Sequence, residues 1–143
     1  MNTMRGTCLC GEVAYEITGR LGPVLNCHCS KCRRWHGAAY RTRTSVDVSQ
    51  FAIVRGTDCV AWFKSSELVT KHFCRICGSP LHSTYDDRPT VIGIGIGALE
   101  GVQSPPEAHI FTGSKASWHI ITDTLPQHEE WPGSEAYVRQ TNP

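Results

Sequence analysis

From Glu12 to Ile17 polar and apolar residues alternate, which puts Val13, Tyr15 and Ile17 on one face. A repeat of two is that of a half-buried β-strand, and the stretch from Gly19 to Pro23 breaks it. Comparable short runs predict strands at Ala39–Thr44, Phe51–Arg55, Val60–Lys64, Leu68–Phe73, Leu81–Tyr85, Val91–Ile96, His109–Phe111 and Trp118–Thr122. Many short strands at fairly even spacing predict a mainly β domain. One short helix is predicted, Ser30 to Trp35, with Ser30 placed to cap it. The run from Val91 to Gly97 alternates apolar residues with glycines. It lacks the last glycine of a dinucleotide loop and no helix-forming stretch follows. It reads as a strand with isoleucines on one face and glycines on the other, where a backbone or ligand can come close.

With 143 residues the chain fits a single domain over 1–143. Prolines at 105, 106, 126, 132 and 143 break up the C-terminal part, and 133–143 reads as a loose tail. Lys plus Arg number 14 against 13 for Asp plus Glu, and no basic block stands out, so a nucleic-acid partner or a polybasic membrane anchor is not expected. The longest apolar stretch, Val91 to Leu99, is interrupted by glycines and falls short of a membrane span. The first residues show no apolar signal-peptide core, so a cytoplasmic location is expected.

Eight cysteines change the picture. An even number invites disulfides, but cytosolic thiols are kept reduced and the spacings are those of metal sites. Three groups stand out: Cys8 with Cys10 before Gly11; Cys27, Cys29 and Cys32; and Cys74 with Cys77 before Gly78. Cys59 stands apart and reads as a small buried hydrophobe. Cys74 and Cys77 form half of a zinc knuckle, and structural zinc takes four ligands in a tetrahedron. Cys8 and Cys10 can supply the other half if the chain is distorted there. Such a clip would tie the first strand to the centre of the chain.

That pairing leaves Cys27, Cys29 and Cys32, three thiolates within six residues. Catalytic zinc sites keep three protein ligands and an open fourth position. A histidine could instead close the site: His36 and His28 lie nearby, and His72 and His82 flank the other pair. Three thiolates make the zinc complex anionic and a weakened Lewis acid, which suits holding a fourth thiol as thiolate better than activating water. Lys31, Arg33 and Arg34 would offset that charge or catch a substrate carboxylate, or else form an exposed helix face. His36 is a candidate proton carrier, with a packed or surface histidine as the alternative.

These motifs, with Gly6 before the first pair, Arg33, Gly37-Ala38 and Phe73 around the others, and Ser79 after the last, resemble the glutathione-dependent formaldehyde-activating enzyme family, which also includes centromere protein V. His109-Ile-Phe, Ser117-Trp118 and Leu125-Pro126 are similar to its C-terminal part, so the resemblance spans about Gly6 to Trp131. It implies a β-tent fold of small antiparallel sheets organised around zinc sites. It implies two Zn2+ per chain: a structural ion on Cys8, Cys10, Cys74 and Cys77, and an exchangeable one on Cys27, Cys29 and Cys32. The activity implied is that of a carbon–sulfur lyase joining glutathione reversibly to formaldehyde, with glutathione or another small thiol and an aldehyde as partners. The alternative is a non-enzymatic binding module in which both zinc ions are scaffold.

Overall fold

A computed structural model describes residues 2–132. The expected loose tail, 133–143, lies outside the described residues. Eleven strands and one short helix follow in chain order: β1 Thr3–Thr7, β2 Ala14–Thr18, β3 Leu25–Cys27, α1 Ser30–His36, β4 Arg41–Asp47, β5 Phe51–Arg55, β6 Val60–Lys64, β7 Val69–Cys74, β8 Pro80–Tyr85, β9 Val91–Gly95, β10 Leu99–Glu100 and β11 Ala108–Ile110. They form a four-stranded sheet in the order β10-β1-β2-β5 and a seven-stranded sheet in the order β11-β3-β4-β9-β8-β7-β6. Strand pairs are antiparallel except β11 with β3, which runs parallel. The mainly β expectation holds, and the sheets are small.

The main core lies between the two sheets. Met4, Tyr15 and Ile17 from the smaller sheet meet Val46, Leu81, Ile92 and Ile94 from the larger one. Each fully buried aliphatic or aromatic side chain contributes about 1.5–3 kcal/mol relative to exposure. A second cluster joins Leu25, Cys27, Cys29 and Cys32 to Ala108 and Ile110 across the β3–β11 pair, with Phe111 and Trp131 against it.

The glycine alternation in β9 has the physical basis read from the sequence. Ile92 and Ile94 are buried in the core, whereas Gly93 and Gly95 face the other way. A Cβ on Gly93 would stand 2.2 Å from the Tyr85 hydroxyl oxygen and 3.3 Å from an Arg43 Nη. Gly93→Ala is therefore expected to destabilise the protein by about 1–3 kcal/mol, as overpacking does. In Gly97→Ala the new methyl meets nothing within 4 Å, and stability should stay within about 0.5 kcal/mol. Urea unfolding of the two variants checks this, and equal midpoints would contradict the packing.

Two expectations need correction. Trp118–Thr122 is not a strand: Trp118 is 71% and Ile120 78% exposed. The place beside β11 that a further strand would need is taken by the chain at Pro126 to His128, whose backbone bonds to His109. The cap of α1 is Cys29 rather than Ser30. Cys29 has extended backbone and its sulfur accepts from the Cys32 N–H at 3.2 Å, doing the work a serine oxygen would do one residue later. The helix also runs one residue beyond Trp35, to His36, before Gly37 turns left-handed at its end.

Candidate active site and metal centres

Cys8 follows β1, Cys10 lies in the turn toward β2, Cys74 ends β7 and Cys77 lies in the turn before β8. This group therefore joins the two sheets. Gly11 and Gly78, with φ of 82° and 79°, curl the chain after each pair as side-chain-bearing residues rarely can. The four sulfurs lie within 4.8 Å of one another. Cys8 Sγ stands 3.5 Å from Cys10 Sγ, and Cys10 Sγ stands 3.8 Å from Cys74 Sγ. That is far beyond the ~2.05 Å of a disulfide, and every cysteine is free. It is close to the ~3.8 Å edge of a tetrahedron with metal–sulfur distances of ~2.3 Å. The donor set and its spacing fit a zinc ion. The Ser79 hydroxyl, with the backbone N–H groups of Cys10 and Ser79, pulls the Cys77 thiol down to about 5. The thiolate form that a metal needs is thus favoured at Cys77.

The second group gathers at the junction of β3 and α1. Cys27 ends the strand, Cys29 caps the helix and Cys32 sits in its first turn. All three are buried, with sulfurs within 4.8 Å of one another. Among the described residues no histidine or carboxylate joins either group. The four histidines that could have closed the trio are engaged elsewhere or lie apart from it. His72 and His82 stack on each other at 4.2 Å across β7 and β8. His36 reaches neither group, and burial followed by the Arg41 charge pushes it down to about 4, so it is a poor proton acceptor at neutral pH.

His28 turns away from its cysteine neighbours. Its Nε2 lies 2.8 Å from Nδ1 of His109, whose Nε2 lies 2.9 Å from an Asp123 carboxylate oxygen. The carboxylate only accepts, so the His109 Nε2–H donates to it and the His109 Nδ1 accepts from the His28 Nε2–H. Both rings are buried, while Asp123 is about half exposed. This chain of bonds fixes the ring held between Cys27 and Cys29. His109 had a signal in the sequence as a strand residue and as part of the C-terminal family resemblance, with no role attached, and Asp123 had none.

The charge beside the trio is not where the helix suggested. Lys31 and Arg34 are exposed, and Arg33 donates to the Ser114 carbonyl. Among the described residues the buried Lys and Arg side chains are Arg41, Arg43 and Lys71. Strand register puts them on one face with Cys27: Cys27 pairs with Arg41, Arg43 with Gly95, Gly93 with Ser83, and Ser83 with Lys71. Arg41 and Lys71 both lie against the Trp35 ring, at 5.1 and 4.8 Å from its centre. Hydrogen bonds from Cys27 and Cys29, then the charges of Arg41 and Lys71, hold Cys32 well below the usual thiol range despite its burial. The signal that could have revealed these cations is their place at alternate positions of predicted strands, on what had to be a buried face.

A cavity of about 510 Å³ opens beside Arg41, with His36, Tyr40, Ser79, Gly95 and Gly97 also in its wall. It lies between the residues that follow the trio and the turn that carries Cys77. Cys59 is buried in the main core and joins neither sulfur group.

The sequence profile of the family described as glutathione-dependent formaldehyde-activating enzyme matches residues 3–114. An uncharacterized lyase of Schizosaccharomyces pombe is 23% identical over 104 residues, covering 73% of this chain and 74% of that protein. The crystal structure of a Rhodobacter sphaeroides protein is similar with a TM-score of 0.56 and 29% identity, covering 69% of this chain and 90% of that one. The family match includes all seven clustered cysteines, and the chain belongs to the glutathione-dependent formaldehyde-activating enzyme family.

Proposed function

We propose that the protein is a zinc-dependent carbon–sulfur lyase acting on adducts of glutathione, or another small thiol, with formaldehyde or a related aldehyde. Family membership and the lyase name of the yeast relative support the reaction class. The observation that carries the reading is the division of seven sulfurs into four and three, with no further ligand beside the three among the described residues. On this reading Cys8, Cys10, Cys74 and Cys77 hold a structural ion, and Cys27, Cys29 and Cys32 hold one with an open position. A zinc ion on the trio would lower the pKa of an arriving thiol and keep it as thiolate.

The protein's own groups do the rest. Arg41 and Lys71, buried at the trio, offset its negative charge and favour thiolate over thiol. The Asp123–His109–His28 chain holds the Cys27–Cys29 loop in place. In the forward direction the thiol sulfur bonds to the aldehyde carbon, the carbonyl π pair moves onto oxygen to leave a C–O single bond, and the thiol proton ends on that oxygen. The lyase direction returns the proton to sulfur as the C–S bond breaks.

Exchange between 13C-formaldehyde, glutathione and their adduct, followed by NMR, tests the reading. Zinc-loaded protein is expected to accelerate the exchange in proportion to its concentration. Exchange at the uncatalysed rate, with both ions present, would overturn the enzymatic reading in favour of a scaffolded binding module.

A further inference from the structure

We propose that Arg41 is a carboxylate receptor: it holds an anionic end of the thiol ligand in the cavity bounded by β4, β9 and the turn before β8. For the identity of the ligand this rests on the thiol-binding function proposed above; the anion pocket itself rests on Arg41 alone.

Arg41 is 4% exposed, yet its guanidinium makes no hydrogen bond and no ion pair within the described residues, and its Nε is buried without a partner. It lies against the Trp35 ring, 5.1 Å from its centre. Burying a guanidinium costs several kcal/mol unless an anion and hydrogen bonds compensate. The Cys32 thiolate supplies charge from one side, but it leaves the directional N–H groups unused. The cavity supplies the other side. No acidic residue lines it, so nothing within the wall competes for the guanidinium.

The wall is shaped for approach. Gly95 lies in it, and a Cβ there would stand 3.4 Å from Arg41 Nε, so the missing side chain leaves the face of the guanidinium open. Tyr40 adds a hydroxyl with no partner among the described residues, and His36 adds a buried, unpartnered Nε2. The volume of about 510 Å³ is in the ordinary range for small-ligand sites. The register pair Cys27–Arg41 sets the root of this side chain beside the trio, with about 5 Å between the two Cβ atoms, and the Arg41 charge acts on Cys32. One molecule can therefore present its thiol to the trio and its carboxylate to Arg41. Arginine suits this role because its planar fork matches a carboxylate.

The test is calorimetric titration of zinc-loaded protein with glutathione, with S-methylglutathione, which keeps the carboxylates but blocks the thiol, and with glutathione diethyl ester, which keeps the thiol but masks the carboxylates. Wild type should bind glutathione at least ~10-fold more tightly than the diester, as expected for a charge-assisted hydrogen bond. Arg41→Gln should bind the two alike, and Arg41→Lys should recover part of the difference. A cooperative thermal transition in Arg41→Gln, with both zinc ions retained, shows that the variant is folded. If Arg41→Gln does not fold, Gly95→Ala serves instead, because its methyl covers the guanidinium and should weaken glutathione more than the diester. Equal affinity of wild type for glutathione and the diester would overturn the receptor even if the thiol still reaches the trio. Arg41-dependent binding of S-methylglutathione as tight as that of glutathione would uphold the receptor and count against thiol coordination instead.

Discussion

Cys77→Ser is expected to abolish cooperative folding, not merely to empty one site. The four-sulfur group draws Cys8 and Cys10 from the start of the smaller sheet and Cys74 and Cys77 from the larger one, so it closes a long loop and pins the sheets together beside the main core. A structural zinc contributes about 10–16 kcal/mol to the folding of a small domain, whereas total stability is typically about 5–15 kcal/mol. Loss of one thiolate also frees Ser79, whose hydroxyl lies 3.2 Å from Cys77 Sγ and accepts from the Leu9 N–H at 2.9 Å. The variant should show no thermal transition under conditions where wild type melts sharply, and a strong chelator should reproduce this in wild type. A Cys77→Ser protein that melts within a few degrees of wild type would remove the structural role from this group.

Cys29→Ser should have the opposite profile. Cys29 caps α1 through its sulfur, and serine is itself a preferred cap, so the helix keeps its N-terminal hydrogen bond. The trio belongs to the second, smaller core cluster and does not bridge the two sheets. The fold should survive with a modestly lowered melting temperature while zinc content falls from two per chain to one and acceleration of the aldehyde–thiol exchange disappears. Elemental analysis beside thermal unfolding checks both parts. Retention of two zinc ions, or unfolding as complete as in Cys77→Ser, would mean that the division into structural and exchangeable centres is wrong.

Much of the scaffold was legible because its signals are local. Phe51–Arg55 and Val60–Lys64 form strands with the expected bounds, and the glycine face of β9 follows directly from its alternation. The strands that escaped notice are Thr3–Thr7, Leu25–Cys27 and Leu99–Glu100, which are short or polar and exist through their partners. Trp118–Thr122 failed for the converse reason: its pattern is that of a strand, but the edge it needed is occupied by the chain near Gln127. The sulfur groups could be read from spacing because each has at least two members within a few residues. The Arg41, Lys71 and Trp35 arrangement is less direct: alternation within the predicted strands hints that the two cations share buried faces, but β4, β7 and α1 contribute one member each and only sheet register brings them together. Of the basic residues that did stand out, Lys31 and Arg34 are exposed on the helix and Arg33 bonds to the Ser114 carbonyl. Burial, which sequence proximity to a motif does not reveal, decides which cation acts on the trio.

The central claim is that the centre at Cys27, Cys29 and Cys32 accepts an external thiol, and its most direct test is the absorption spectrum of cobalt-substituted protein titrated with glutathione. Stronger sulfur-to-cobalt charge transfer is expected as a light-atom ligand gives way to sulfur at one of two ions. The response should vanish in Cys29→Ser and persist in Cys59→Ser. A spectrum unchanged by glutathione in the millimolar range, with both ions bound, would contradict the open centre.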